Sequence, residues 1–328
     1  MLPQITNEEL KGFYKGACHF AESDGFLSAF HYSQAQIDMM SRETYDMDWR
    51  ARGMSSGGIR IEFITDSTEI SFDTRNNTKS THNFIDLVVD DVLACTYKIE
   101  DMKYCKVNFT LKEGEKKVAI YLPTDTKLEI RDFQVNGTYV HTRNKRNRRS
   151  NVLLIGDSIS QGYGPVYPSL AYVNVLMRKT GLNILNQGIG GYRFEPKDLM
   201  KVDGFKPSKV IIFLGTNYYD EPCLEAFGYD YEKSTREFFE KLNELYGELP
   251  TLVITPLWRC NDVDYKRLAW CKEIIEAECK KYANILTVDG FDLVPNVPMC
   301  FPDGVHPNAY ASELLAGNLA KIIKKLRW

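Results

Sequence analysis

The chain has 328 residues, of which 44% are hydrophobic and 26% charged. This is a globular balance, long enough for one large or two ordinary domains and unlike a disordered chain. A net charge of −3 and a pI near 6.0 offer no general attraction for nucleic acid or an anionic membrane, and no run of 18 apolar residues is present to span a bilayer.

Met1 to Tyr14 contain no basic stretch followed by an apolar run, so no secretory signal is read and the expected location is the cytoplasm. The eight cysteines (Cys18, Cys95, Cys105, Cys223, Cys260, Cys271, Cys279 and Cys300) are scattered and form no C-x-x-C, and the five histidines form no H-x-x-x-H. Buried reduced thiols are expected, and no metal site.

Residues 1–145 are expected to form an all-β domain. Gly58–Thr65 and Glu69–Phe72 alternate apolar and polar residues around the turn Asp66-Ser67. Asn83–Val89 and Val92–Lys98, joined by Asp90-Asp91, predict a hairpin. Cys105–Leu111 and Val118–Leu122, either side of Glu113–Lys116, predict another. Lys127–Ile130 and Phe133–Val135 complete a set of short strands with the spacing of a jelly-roll sandwich. No catalytic spacing occurs in this half, which alone would pass for a carbohydrate-binding module. The basic stretch His141–Ser150 reads as a solvated linker or a clamp onto an acidic face rather than as a nucleic-acid patch.

From 146 to 328 strand and helix patterns alternate, the signature of an α/β domain with a parallel sheet. The expected strands are 151–155, 182–186, 209–214, 251–255 and 285–288, with helices over 230–246 and 264–281. A last helix is expected to start at Pro307, with Leu314, Leu315, Leu319, Ile322, Ile323 and Leu326 on its apolar side.

The carboxyl ends of parallel strands are where functional residues gather. Here they carry Gly156-Asp157-Ser158, then Asn186 to Gly191, then Gly215-Thr216-Asn217, and after the fifth strand Asp303-Gly304-Val305-His306-Pro307. A serine needs a base to become a nucleophile, and His306 is the candidate. Asp303, three residues earlier, can hold the other imidazole nitrogen. The N–H groups of Ser158 and Gly191 and the amide of Asn217 can supply an oxyanion site. Asp157 is expected to fix the turn, and Gly188 and Gly190 to serve turn geometry alone. The run 188–191 is not a dinucleotide site, because Arg193 stands where the third glycine belongs, and Gly156–Ser160 is not G-x-S-x-G.

The blocks GDSIS, NQGIGG, GTN and DGVHP, in that order over 151–328, resemble those of the SGNH (GDSL-like) hydrolases. The resemblance implies a flavodoxin-like three-layer α/β domain. It implies Ser158 as nucleophile, His306 and Asp303 as base and acid, and Ser158, Gly191 and Asn217 as oxyanion donors. The glycine is Gly191 because the family's donor lies five residues after the asparagine of its block. Tyr218 follows Asn217 where the family often has aspartate, and Thr216 stands for a frequent glycine, so the shape of the acyl pocket is left open. A β-sandwich ahead of such a domain is similar to two-domain carbohydrate esterases that remove acetyl groups.

The resulting expectation is a serine esterase that deacylates a carbohydrate or oligosaccharide and uses no cofactor or metal, with neither nucleic acid nor membrane as partner. Trp258, Arg259 and Tyr192 are candidate sugar-binding residues, with Tyr163 and Trp49 as further aromatics near the cleft. The alternatives are a lipase-like or thioester hydrolase of the same fold and a non-catalytic glycan-binding protein.

Overall fold

The computed structural model describes residues 4–40, 48–76, 78–100, 103–142, 150–220, 226, 228–260 and 266–328. The division at 145/146, most of the basic stretch, Cys223 and the first residues of the helix expected from 264 lie outside the described residues.

The first half runs α1 (Asn7–Lys11), β1 (Tyr14–Lys15), β2 (His19–Ser23), β3 (Phe26–Phe30), α2 (Gln34–Met40), α3 (Trp49–Gly53) and β4 (Arg60–Thr65). It continues with β5 (Glu69–Asn76), β6 (Phe84–Val89), β7 (Val92–Lys98), β8 (Tyr104–Thr110), β9 (Lys116–Tyr121), β10 (Leu128–Val135) and β11 (Val140–His141). Two antiparallel sheets result, ordered β1-β4-β9-β6-β7, with β11 also on β4, and β2-β3-β10-β5-β8. Phe63, Phe72 and Phe133 interlock between them, with Phe72 and Phe133 stacked at 5.4 Å.

The β6–β7 hairpin forms as expected, with Asp90 and Asp91 both at positive φ in its turn. The second expected hairpin does not form. β8 pairs with β5 in one sheet and β9 with β4 and β6 in the other, so the chain crosses between layers at 111–115. The two segments at 127–135 are one strand, β10, interrupted by a register shift at Asp132, whose φ is 52°. Cys95 is exposed rather than buried.

The second half runs β12 (Asn151–Gly156), α4 (Ser158–Gln161), α5 (Tyr172–Thr180), β13 (Asn183–Gly188), β14 (Lys209–Phe213) and α6 (Tyr231–Tyr246). It ends with β15 (Thr251–Ile254), α7 (Lys266–Cys279), β16 (Ile285–Val288) and α8 (Ala309–Lys325). The strands form one wholly parallel sheet in the order β13-β12-β14-β15-β16. That is the flavodoxin-like order, whose switch point lies between β12 and β14. From β13 to β15 both faces are buried, which is why those strands read as apolar runs, while on the edge strand β16 Leu286 is exposed. Val152 and Leu154 face α5 and α8, while Leu153 and Ile155 face α6 and α7.

Helix α8 starts two residues later than expected. Asn308, not Pro307, caps it, accepting from the Ala311 N–H at 3.0 Å. Asn308 also donates to the Met299 carbonyl at 2.7 Å, which ties the loop before the helix to its entrance.

The two halves share a core. Phe30, Tyr32, Ile37, Met40 and Trp49 of the first half pack in the cluster of Leu153, Leu185 and Ile189. Polar bonds frame this seam: Tyr32 donates to the Gln187 carbonyl at 2.9 Å, and the Gln187 amide to the His31 carbonyl at 2.9 Å. Among the described residues no helix is long and apolar enough to cross a membrane.

Candidate active site

β12 ends at Gly156, and Asp157 caps α4 by accepting from the Ile159 N–H at 2.9 Å. Ser158 is therefore the first helical residue, at the switch point, with its hydroxyl on the carboxyl edge of the sheet. Gly156 leaves room for Ser160, and Ser160 Oγ bonds the Tyr172 hydroxyl at 2.8 Å, so the turn is fixed from within. Burial pushes the Asp157 carboxyl up to about 7, against the Ile159 bond and the charge of Arg259, which both act to lower it.

His306 reaches the serine from the other end of the domain. Its Nε2 lies 2.8 Å from Ser158 Oγ and its Nδ1 2.6 Å from Asp303 Oδ2. Asp303 Oδ1 accepts from the Val305 and His306 N–H groups at 2.9 and 2.7 Å, a tight turn that aims both side chains. Partial burial works to raise the Asp303 carboxyl, but the bonds from His306 and Val305 outweigh it and hold the group below its usual range. An ionised Asp303 can only accept, so Nδ1 carries the imidazole proton and Nε2 is left to accept from Ser158.

The expected oxyanion donors follow the carboxyl ends of three neighbouring strands: Ser158 after β12, Gly191 after β13 and Asn217 after β14. Gly191 has φ of 76°, a backbone conformation that favours glycine. Among the described residues nothing accepts from the N–H of Gly191 or of Ser158. Asn217 donates one amide hydrogen to the Tyr192 carbonyl at 3.0 Å, and its second remains as a donor. Gly188 and Gly190 are not at positive φ; a Cβ at either would collide with Gln161 or Arg52. Their role is close approach, which corrects the expectation of turn geometry.

The expected sugar-binding residues fare differently. Tyr192 is buried and meets the equally buried Trp49 edge-on at 5.0 Å, so both belong to the core. Trp258 is stacked on Phe291 at 3.8 Å and donates to the Phe291 carbonyl, which covers one face of its indole. Arg259 donates to the Thr216 carbonyl at 2.7 Å and lies over the Tyr219 ring, bracing the loop that carries Asn217. Tyr192 is thus a core residue, while Trp258 and Arg259 are partly exposed and carry these packing and bracing contacts. Tyr163 does stand at the site, its ring 5.6 Å from His306 and 4.8 Å from His82. Burial and then a bond to Asp125 push its hydroxyl well up from the usual tyrosine range.

Sequence reasoning missed Arg52, His82, Asp125 and Gln161. Gln161 lies one turn after Ser158, so its position on α4 was available from spacing. The other three come from the first half and carry no sequence signal, because only the packing of the two halves brings them beside Gly190, Tyr163 and Gln161.

Residues 154–314 match the GDSL-like Lipase/Acylhydrolase family. No curated protein matches the chain. Among solved structures, the salicylyl-acyltransferase SsfX3 from a tetracycline biosynthetic pathway is similar over 99% of this chain and 97% of its own, with a TM-score of 0.77 and 17% identity. A family two carbohydrate esterase from Clostridium thermocellum, in complex with cellohexaose, is similar over 84% of this chain and 94% of its own (TM-score 0.65, 16% identity). The acetyl xylan esterase Est2A from the rumen bacterium Butyrivibrio proteoclasticus covers 84% of this chain and 91% of its own (TM-score 0.59, 14% identity). At these identities the likeness is one of fold.

Proposed function

We propose, for a chain whose residues 154–314 form a GDSL-like lipase/acylhydrolase domain, that it is a serine esterase removing short acyl groups, acetyl above all, from a carbohydrate. The observation that carries this reading is the continuous chain Ser158–His306–Asp303, with separations of 2.8 and 2.6 Å. Ser158 Oγ attacks the ester carbonyl while His306 Nε2 takes its proton. The negative charge on the carbonyl oxygen meets the N–H groups of Ser158 and Gly191 and the amide of Asn217. His306 then gives the proton to the departing sugar hydroxyl. Water, deprotonated by the same nitrogen, releases the acyl group from Ser158. Asp303 holds the imidazole in the required tautomer and stabilises the imidazolium.

Two supports favour a carbohydrate. Carbohydrate esterases, one holding cellohexaose, are among the structures that share the fold. Beside His306, Tyr163 presents an aromatic ring with His82 and Asp125 next to it, the residue types that hold a polyhydroxylated group.

The test is acetate release from acetylated xylan and mannan oligosaccharides, beside hydrolysis of a long-chain ester, by wild type and Ser158→Ala. Release by wild type alone, with the long ester untouched, is the expected result. Turnover of only the long ester would move the protein to the lipid-esterase reading. Equal activity in Ser158→Ala would refute the assignment of the nucleophile.

A further inference from the structure

If Ser158 and Gly191 supply oxyanion donors as proposed, the Gly191 N–H has to be held in place. Its N–H belongs to a peptide unit whose other end is the Gly190 carbonyl, and Arg52 Nη1 donates to that oxygen at 2.7 Å. The peptide on the other side of Gly190 is held as well: its N–H donates to Gln161 Oε1 at 2.5 Å. Gln161 Nε2 in turn reaches Ser55 Oγ at 3.2 Å, and the Thr124 carbonyl and Asp125 Oδ1 at 3.3 Å each. Both peptides flanking Gly190 are thus tied to the N-terminal half, one directly and one through a single side chain.

The contact has two chemical effects. An amide is one conjugated unit, so drawing electron density onto the carbonyl oxygen leaves the N–H at its far end more positive and a stronger donor. The guanidinium also fixes the rotation of that peptide, which sets the direction of the N–H before any substrate arrives. The residue type at 190 fits this. A Cβ there would stand 2.8 Å from Arg52 Nη1, so glycine is what admits the arginine.

We propose that Arg52 is a positioning residue of the oxyanion site: from the N-terminal domain, it orients and polarises the 190–191 peptide so that the Gly191 N–H meets the charge that develops in the transition state. It acts through the Gly190 carbonyl, to which its Nη1 donates. Its influence is therefore felt in the transition state and not in substrate binding.

The experiment compares wild type, Arg52→Lys, Arg52→Gln, Gly190→Ala, the Arg52→Gln/Gly190→Ala pair and Ser158→Ala in steady-state hydrolysis of p-nitrophenyl acetate. Thermal midpoints are measured alongside. Arg52→Gln should lower kcat by about 10- to 100-fold and leave KM within about two-fold. Arg52→Lys, which keeps the charge but loses the planar fork, should fall between Gln and wild type. Gly190→Ala displaces the guanidinium from the other side, so the pair should be no slower than its slower member. Wild-type kcat in Arg52→Gln, a loss seen in KM alone, Lys no better than Gln, or additive losses in the pair would each overturn the proposal. Should Arg52→Gln not fold, Gly190→Ala decides, and wild-type kcat there overturns it. Full activity in Ser158→Ala would sink the underlying site assignment, whereas an inactive Ser158→Ala beside a fully active Arg52→Gln sinks this inference alone.

Discussion

Replacing Asp303 separates two jobs that its carboxylate performs for His306. In Asp303→Ala the charge-assisted bond to Nδ1 is lost. Such bonds contribute about 1.5–3 kcal/mol, which at 1.36 kcal/mol per decade is a fall of about 10- to 150-fold in kcat/KM. The Asp303 side chain is 56% exposed, so water can take the vacated place and hold the loss to the lower part of that range. Asp303→Asn is the harsher change despite being nearly isosteric. Its Oδ1 can go on accepting from Val305 and His306, which now lie at 2.9 and 2.7 Å, so the turn survives. Its NH₂ then faces Nδ1, a donor that calls for an acceptor. The imidazole proton moves to Nε2, and the nitrogen that must accept from Ser158 becomes a donor. A loss of about 10⁴-fold is expected from the wrong tautomer. The assay is kcat/KM on p-nitrophenyl acetate across pH 5–9 for both variants, with circular dichroism to verify folding. Asn less damaging than Ala would refute the tautomer argument, and wild-type rates in both would reduce the site to a Ser158–His306 pair.

Asn217→Ala removes the side-chain donor proposed for the oxyanion site and should lower kcat by about 10²- to 10³-fold with KM little changed, read from steady-state kinetics. Two buried groups should shape stability against pH. His31, whose Nδ1 bonds the Gly57 carbonyl at 3.0 Å, is pushed down by burial to about 4, while Asp157 is pushed up by burial to about 7. Between pH 4 and 6.5 the unfolded chain binds the His31 proton and the folded chain does not, so stability rises with pH by about 1.4 kcal/mol per unit. Over the same range the folded chain keeps the Asp157 proton that the unfolded chain has lost, so this group contributes an equal fall. Urea unfolding should show the two cancelling in wild type. Asp157→Asn should expose the rising slope and His31→Gln the falling one; parallel profiles in the two variants would contradict both assignments.

The parallel sheet was legible because a strand buried on both faces is a short apolar run. Ser158 could be read from its place after the end of β12, while Asp303 and His306, in the loop between β16 and α8, were read from their own spacing, and the fold brings His306 to the serine. The sandwich was harder to read. β8 and β9 are joined by Glu113-Gly114, which looks like a hairpin turn, yet each strand finds its partners more than 20 residues away. β2 and β3 escaped notice although Asp24-Gly25 between them, at φ of 54° and 79°, is a strong two-residue hairpin signal. Trp258, Arg259 and Tyr192 sit at the carboxyl edge as predicted, but position along a strand does not tell which way a side chain turns. Trp258 packs on Phe291, Arg259 bonds the Thr216 carbonyl and Tyr192 meets Trp49.

The closure of the sandwich on its last long strand has a consequence for how the chain is made. β10 is the shared partner of β3 and β5, and the Ile5 N–H donates to the Phe133 carbonyl at 2.8 Å. The opening residues therefore have no lasting place until Leu128–Val135 have left the ribosome, and pairings this distant in sequence form slowly. A chain that has emerged as far as His141 holds every strand of the two antiparallel sheets. One halted after Leu122 leaves β3 and β5 with open edges that invite pairing with other chains.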